Sequence, residues 1–163
     1  MVSPDTDPHL SAGSGTDEAP IRSPGTLRWV PLILLGGAVG TAFRAALETL
    51  FPAAPTALPW TTLVINLIGS FLLGVLVEAL SASGPDRGVR RGMRLTLGTG
   101  VLGGFTTYST FMVETADRLR NGHAPLALAY LVGSVIFCLL AAGLGISLTA
   151  RAHRARRTRR GTR

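Results

Sequence analysis

The stretch GGFTTYSTF, residues 103 to 111, sets five hydroxyl side chains in succession, Thr106, Thr107, Tyr108, Ser109 and Thr110, between Phe105 and Phe111. The sequence around it is apolar and rich in glycine. A bilayer interior has no water to satisfy polar groups, so such a run must face protein, an ion or a wet cavity. Its chemistry is hydrogen-bond donation to something that has lost its own hydration. Gly98, Gly100, Gly103 and Gly104 come just before the run and favour a helix break, which exposes backbone carbonyls and amides as further ligands.

Few other polar groups fall within apolar segments, and each is a functional candidate for that reason. Asn66 needs partners for both its donor and its acceptor, which a helix-to-helix hydrogen bond or a passing ion or water file would supply. Tyr130 and Ser134 are one helical turn apart and Cys138 follows one turn later, a polar stripe on one helix face that suggests an anion track. Arg44 and Glu48 are four residues apart, so an ion pair near the interface weighs as much as a role in ion access. No enzyme is expected. The single Cys138 forms no intrachain disulfide, and His9, His123 and His153 lie outside the apolar segments with no nucleophile or carboxylate pattern beside them.

The elements that must position these groups read as membrane helices. The 163-residue chain is 47% hydrophobic, with mean hydropathy +0.37, too apolar for an ordinary soluble domain. Residues 1–28 are expected to be a disordered leader, rich in Pro, Gly, Ser and acids and unlike a secretory signal. Residues 29–149 hold four apolar segments, about Trp29 to Leu50, Trp60 to Leu80, Met93 to Val113 and Pro125 to Thr149. Each has roughly the 20 residues needed to cross a hydrocarbon core of about 30 Å. Residues 150–163 form a basic tail. The fold class is therefore an all-α membrane protein of four transmembrane helices with a break in the third. The glycines elsewhere in the spans are read as close-packing contacts.

All 16 basic residues are arginine, and 13 fall on the side that holds both termini and the second-to-third connection. The opposite side has only Arg118 and Arg120, with Glu114 and Asp117 nearby, and Arg44 lies inside the first span. That bias predicts a multi-pass plasma-membrane protein with both termini in the cytoplasm. The arginines flank spans, so lipid headgroups and topology explain them, and no nucleic-acid partner is expected.

Three motifs in order, GGAVGTAFR (36–44), TLVINLIGSFLLG (62–74) and GVLGGFTTYSTFMVE (100–114), closely resemble the small fluoride channels of the Fluc/CrcB family. The resemblance covers residues 33 to about 147, leaving the leader and tail outside. It implies an antiparallel dimer with two fluoride pores along the subunit interface and a structural sodium ion (Na+) at the dimer centre. By position, Gly103 and Thr106 match the helix break whose backbone carbonyls hold the sodium. Asn66 matches a polar pore residue, with Thr62 one turn before it. Tyr108 and Phe111 match the two aromatic positions whose ring edges line the path, and Tyr130 and Ser134 match the polar track. Arg44 matches a first-span arginine and Glu114 a vestibule carboxylate. Tyr108 replaces the more usual Phe, and Cys138 occupies a track position where a small hydroxyl or glycine is more typical.

The residue chemistry suits this reading. Fluoride is small and tightly hydrated, so a pore must replace its water with many donors, among them the Asn66 amide and the Thr107 and Ser109 hydroxyls. Aromatic edges add attraction without the deep trap of a bare arginine. The expected function is passive export of fluoride, which enters as neutral HF, dissociates in the cytoplasm and leaves driven by a negative-inside potential. Two alternatives belong to other classes. A proton-coupled cation exporter wants an acidic residue central in the first span, where the deepest charge is Arg44, and a non-conducting assembly subunit would use the hydroxyls for helix packing alone. The charge bias adds a further expectation: a sequence that inserts one way pairs antiparallel with an oppositely biased homologous subunit, giving a heterodimer in which one pore is impaired.

Overall fold

A computed structural model describes residues 27–54 and 56–161. The expected leader lies outside the described residues except for Leu27 and Arg28, as do residues 162–163 of the tail. Among the described residues the regular structure is entirely helical.

Helix α1, Val30–Leu50, has Pro31 in its first turn, where a missing N–H costs nothing. Helix α2 is Trp60–Ala82. A short α3, Val89–Met93, runs directly into a π-helical segment, Arg94–Leu102, and then into a single turn, α4, Gly103–Phe105. After a break the chain resumes as α5, Ser109–Arg120. Helix α6, Ala124–Gly161, is 38 residues long. Among the described residues three helices are long and apolar enough to cross a membrane: α1, α2 and α6 up to Arg156. The third apolar segment is instead divided into pieces, and its nine-residue π-helix is far longer than the single-turn bulges usual for that geometry.

The helices associate in two groups. Helix α1 packs on the π-helical segment and α4, while α2 packs on α6. Glycine makes both contacts possible. A Cβ at Gly40 would run into the carbonyl oxygen of Val101, and one at Gly104 into that of Gly37. Between α2 and α6, a Cβ at Gly74 would strike the Ala142 carbonyl and one at Gly145 the Phe71 carbonyl. Backbones in lipid gain nothing from hydrophobic exclusion, so this close approach is what holds them. The outward faces suit hydrocarbon: Leu34, Val39, Phe43, Phe137 and Leu139 are all more than half exposed.

At the end of α1 that carries the chain's N-terminus, the Trp29 ring fills the space above Gly92 of α3, with the Arg28 guanidinium 5.0 Å from the ring centroid. At the far end of the chain α6 does not stop near Thr149, where the apolar sequence ends. It continues without interruption through the arginines to Gly161, because arginine and alanine are good helix formers and no glycine or proline intervenes after Gly145.

Gly40→Val should push α1 off the third segment, lowering stability by about 1–3 kcal/mol as overpacking does. Thermal unfolding in detergent measures this, and Gly143→Val, where a Cβ has nothing within 4 Å, serves as the silent control.

Candidate functional site

The site is built around the break between α4 and α5. Thr106 leaves the helix with φ −77° and ψ 157°, and Gly69 of α2 faces it so closely that a Cβ there would strike the Thr106 methyl. Leaving a helix within apolar surroundings strands backbone polar groups at a cost of several kcal/mol each unless something replaces the lost bonds.

Asn66 replaces them. Its Nδ2 donates to the Thr107 carbonyl at 2.9 Å, and its Oδ1 accepts the Thr107 N–H at 2.8 Å. One amide thus satisfies both main-chain groups of one residue. The Thr107 hydroxyl closes the open end of α5 by accepting the Thr110 N–H at 3.2 Å, and it lies within 3.2 Å of the Ser109 and Thr110 hydroxyls. The Thr106 hydroxyl donates back to the Leu102 carbonyl at 3.0 Å.

These bonds redirect two helical donors. In a continued helix the Thr107 N–H would serve the Gly103 carbonyl and the Thr110 N–H the Thr106 carbonyl. Here the first goes to Asn66 and the second to the Thr107 hydroxyl. The break frees the carbonyls of residues 103–106 from their helical partners; that of Gly104 accepts from Thr41 and Arg44 instead, while Gly103 is exposed on the surface of the chain and Thr106 is half-buried. Carbonyl oxygens are ligands for hard cations.

Beside the break is a cavity of about 450 Å³, with Asn66, Thr107, Tyr108, Phe111, Ser134 and Cys138 in its wall, and Gly103 and Thr106 at its edge. Ser134 is 5% exposed, and its hydroxyl has no hydrogen-bond partner among the described residues. The aromatic rings form a chain: Tyr108 and Phe111 have centroids 6.3 Å apart, and Phe111 meets Tyr130 edge-on at 5.0 Å. Phe111 is buried, whereas Tyr108 is 74% exposed on this face.

Three other sequence candidates belong to a second cluster. The Glu114 carboxylate accepts hydrogen bonds from the Thr62 hydroxyl and the Tyr130 hydroxyl, both at 2.9 Å, tying α2, α5 and α6 together. Tyr130 and Thr62 are almost completely buried, and neither borders the cavity. Arg44 stands apart on α1. It pairs with Glu48 at 3.1 Å, as the spacing suggests, and also donates to the Gly104 carbonyl at 3.4 Å. Ser109 is exposed beside Thr107.

Sequence reading missed Arg118. It counts there as a loop arginine, but it is 2% exposed and donates to the carbonyls of Ala54, Ala57 and Glu114. It clasps the α1–α2 connection to the Glu114 cluster, with its guanidinium 6.0 Å from the Tyr130 ring centroid. The one available signal is its position four residues after Glu114 on the same helix face. Arg118→Ala would leave those carbonyls without their donor, and we expect it to cost about 1–3 kcal/mol of stability as stranding buried acceptors does. The check is unfolding in detergent with Arg120→Ala as reference, since Arg120 is exposed and only loosely paired with Asp117 at 3.8 Å.

The chain is similar to the fluoride-specific ion channel FluC 1 of Cutibacterium acnes, 49% identical over 106 residues that cover 65% of this chain and 74% of that one. It is similar to FluC 2 of Leifsonia xyli subsp. xyli, 46% identical over 121 residues, 73% of this chain and 81% of the other. With FluC 1 of Mycobacterium bovis it shares 41% identity over 124 residues, 76% and 92% of the two chains. The family described as CrcB-like protein, Camphor Resistance (CrcB), matches residues 31–146, which include every residue of the break, the cavity wall and the Glu114 cluster. The chain belongs to the CrcB family.

Proposed function

We propose that this chain is a fluoride-selective channel that lets cytoplasmic fluoride leave passively, relieving its toxicity. The observation that carries the reading is the Ser134 hydroxyl, buried and without a partner among the described residues, in the wall of a cavity it shares with Asn66, Thr107 and the aromatic residues Tyr108 and Phe111. A buried donor without a partner is costly unless a ligand uses it. A small, strongly hydrated anion is the ligand that suits a hydroxyl, an amide N–H and aromatic edges together. The second N–H of Asn66 is available to it, because the Thr107 carbonyl takes only one. The fluoride specificity named for the relatives supports the choice of anion.

The proposed assembly is an antiparallel dimer of four-span subunits, in which the broken third segment counts as the fourth crossing. The exposed Tyr108 and the open side of the cavity meet the partner, giving two pores. The carbonyls of Gly103 and Thr106 fit a sodium ion at the dimer centre. Their helical donors are diverted, and Gly103 is exposed on the face that the partner covers. Bound there, the ion would supply fixed positive charge against the freed carbonyls. The Glu114 cluster and the Arg44 contact to Gly104 hold the two sides of the break at their spacing.

Both termini are assigned to the cytoplasm of the plasma membrane. The excess of arginines on that side supports the assignment. The partner in the antiparallel pair is accordingly an oppositely biased homologous subunit. A C-terminal tag on this chain should react with impermeant reagents only after cells are opened, and equal labelling in intact and opened cells would refute the heterodimer.

Ser134→Ala removes one donor to a charged ligand, an interaction worth about 1.5–3 kcal/mol, so fluoride efflux should fall about ten-fold or more. The fold should be unaffected, since that hydroxyl bonds to no other protein group. A fluoride electrode on proteoliposomes reads the rate, and efflux equal to the parent chain would remove Ser134 from the path.

A further inference from the structure

The continuation of α6 past residue 146, where the family match ends, has a geometry that suggests a use. If Thr149 marks the edge of the hydrocarbon, a rise of about 1.5 Å per residue puts Arg151 and Arg154 roughly 3 and 8 Å outside it, at headgroup depth. Arg156 and the helix beyond it, to Gly161, stand about 10 to 18 Å out, past the lipid phosphates. A tail lying flat on the membrane would keep all its arginines on lipid. This one is the unbroken prolongation of a membrane helix and carries Arg156 beyond the headgroups.

The prolongation also keeps the register of the polar stripe. At about 100° per residue, Ser134, Cys138, Thr149 and Arg156 fall within roughly 60° of one another around the helix. Thr149, His153 and Arg156 border a common recess of about 320 Å³, as Ser134 and Cys138 border the cavity beside the break. No acidic residue follows Asp117 in the chain. Glu78 of α2 lies with Arg154 and His153 in a neighbouring recess.

Resting on the fluoride-channel reading above, we infer that the helical extension of α6 is an electrostatic collector for small anions at the basic, cytoplasmic mouth of the pore. A concentration of one sign of charge at a mouth raises the local density of the opposite ion and its rate of arrival. The effect fades as salt shortens the screening length from about 30 Å at 0.01 M to about 3 Å at 1 M.

The test is fluoride efflux from proteoliposomes of neutral lipid, at about 10 mM and about 500 mM of an impermeant salt. The full-length parent chain, with its partner subunit if one is required, is compared with Arg156→Glu and with the combined Arg154→Gln, Arg156→Gln, Arg157→Gln, Arg159→Gln and Arg160→Gln variant. The collector predicts a fall of about 3- to 10-fold at low salt that disappears at high salt. Equal rates at low salt, or a deficit that high salt does not relieve, would overturn it. A deficit seen only when anionic phosphatidylglycerol is present would assign the arginines to headgroups and overturn it as well. A parent chain that passes no fluoride at either salt concentration would refute the channel reading itself, which the variants' behaviour against a conducting parent leaves untouched.

Discussion

The double hydrogen bond between Asn66 and Thr107 is the constraint on which the site depends. A helix cannot open at membrane depth unless the stranded N–H and C=O find partners, and one amide on the neighbouring helix supplies both, at 2.8 and 2.9 Å. Once Thr107 is held this way, its hydroxyl caps α5, Tyr108 is thrown outward and Phe111 is carried against Tyr130. The freed carbonyls of Gly103 and Thr106 are consequences of the same clamp. Removing the clamp would do more than delete a donor from the cavity.

Around the break, two devices with different physics keep the helices in place. On the α1 side the device is close contact, with Gly36, Gly40, Gly100 and Gly104 letting backbone meet backbone. On the α2 and α6 side it is polar: Thr62, Tyr130 and Arg118 converge on Glu114. The part-buried Glu114 carboxylate is held by a threonine and a tyrosine while Arg118 holds its backbone carbonyl, so the loss of one member leaves polar partners unsatisfied. The Ser134 hydroxyl in the cavity wall has no partner among the described residues.

Much of this was legible in the sequence, for physical reasons. Apolar segments of membrane length advertise themselves, and a hydroxyl run after closely spaced glycines has few uses in lipid other than a break. The Arg44–Glu48 pair follows from helical spacing alone. Other features depend on contacts between distant residues. That Asn66 spends its amide on Thr107, 41 positions away, is invisible until the helices are packed. Arg118 looks like a surface charge because its partners are carbonyls, which every residue has. The continuity of α6 was obscured by the change from apolar to basic composition at Arg151, a change of solvent and not of backbone conformation.

Selective fluoride conduction is the central claim, and the most direct measurement is efflux of fluoride against chloride from proteoliposomes, with this chain reconstituted alone and together with an oppositely biased homologous subunit. The account predicts fluoride efflux with negligible chloride efflux, in the paired preparation at least. Efflux of both anions at similar rates, or of neither in both preparations, would contradict it.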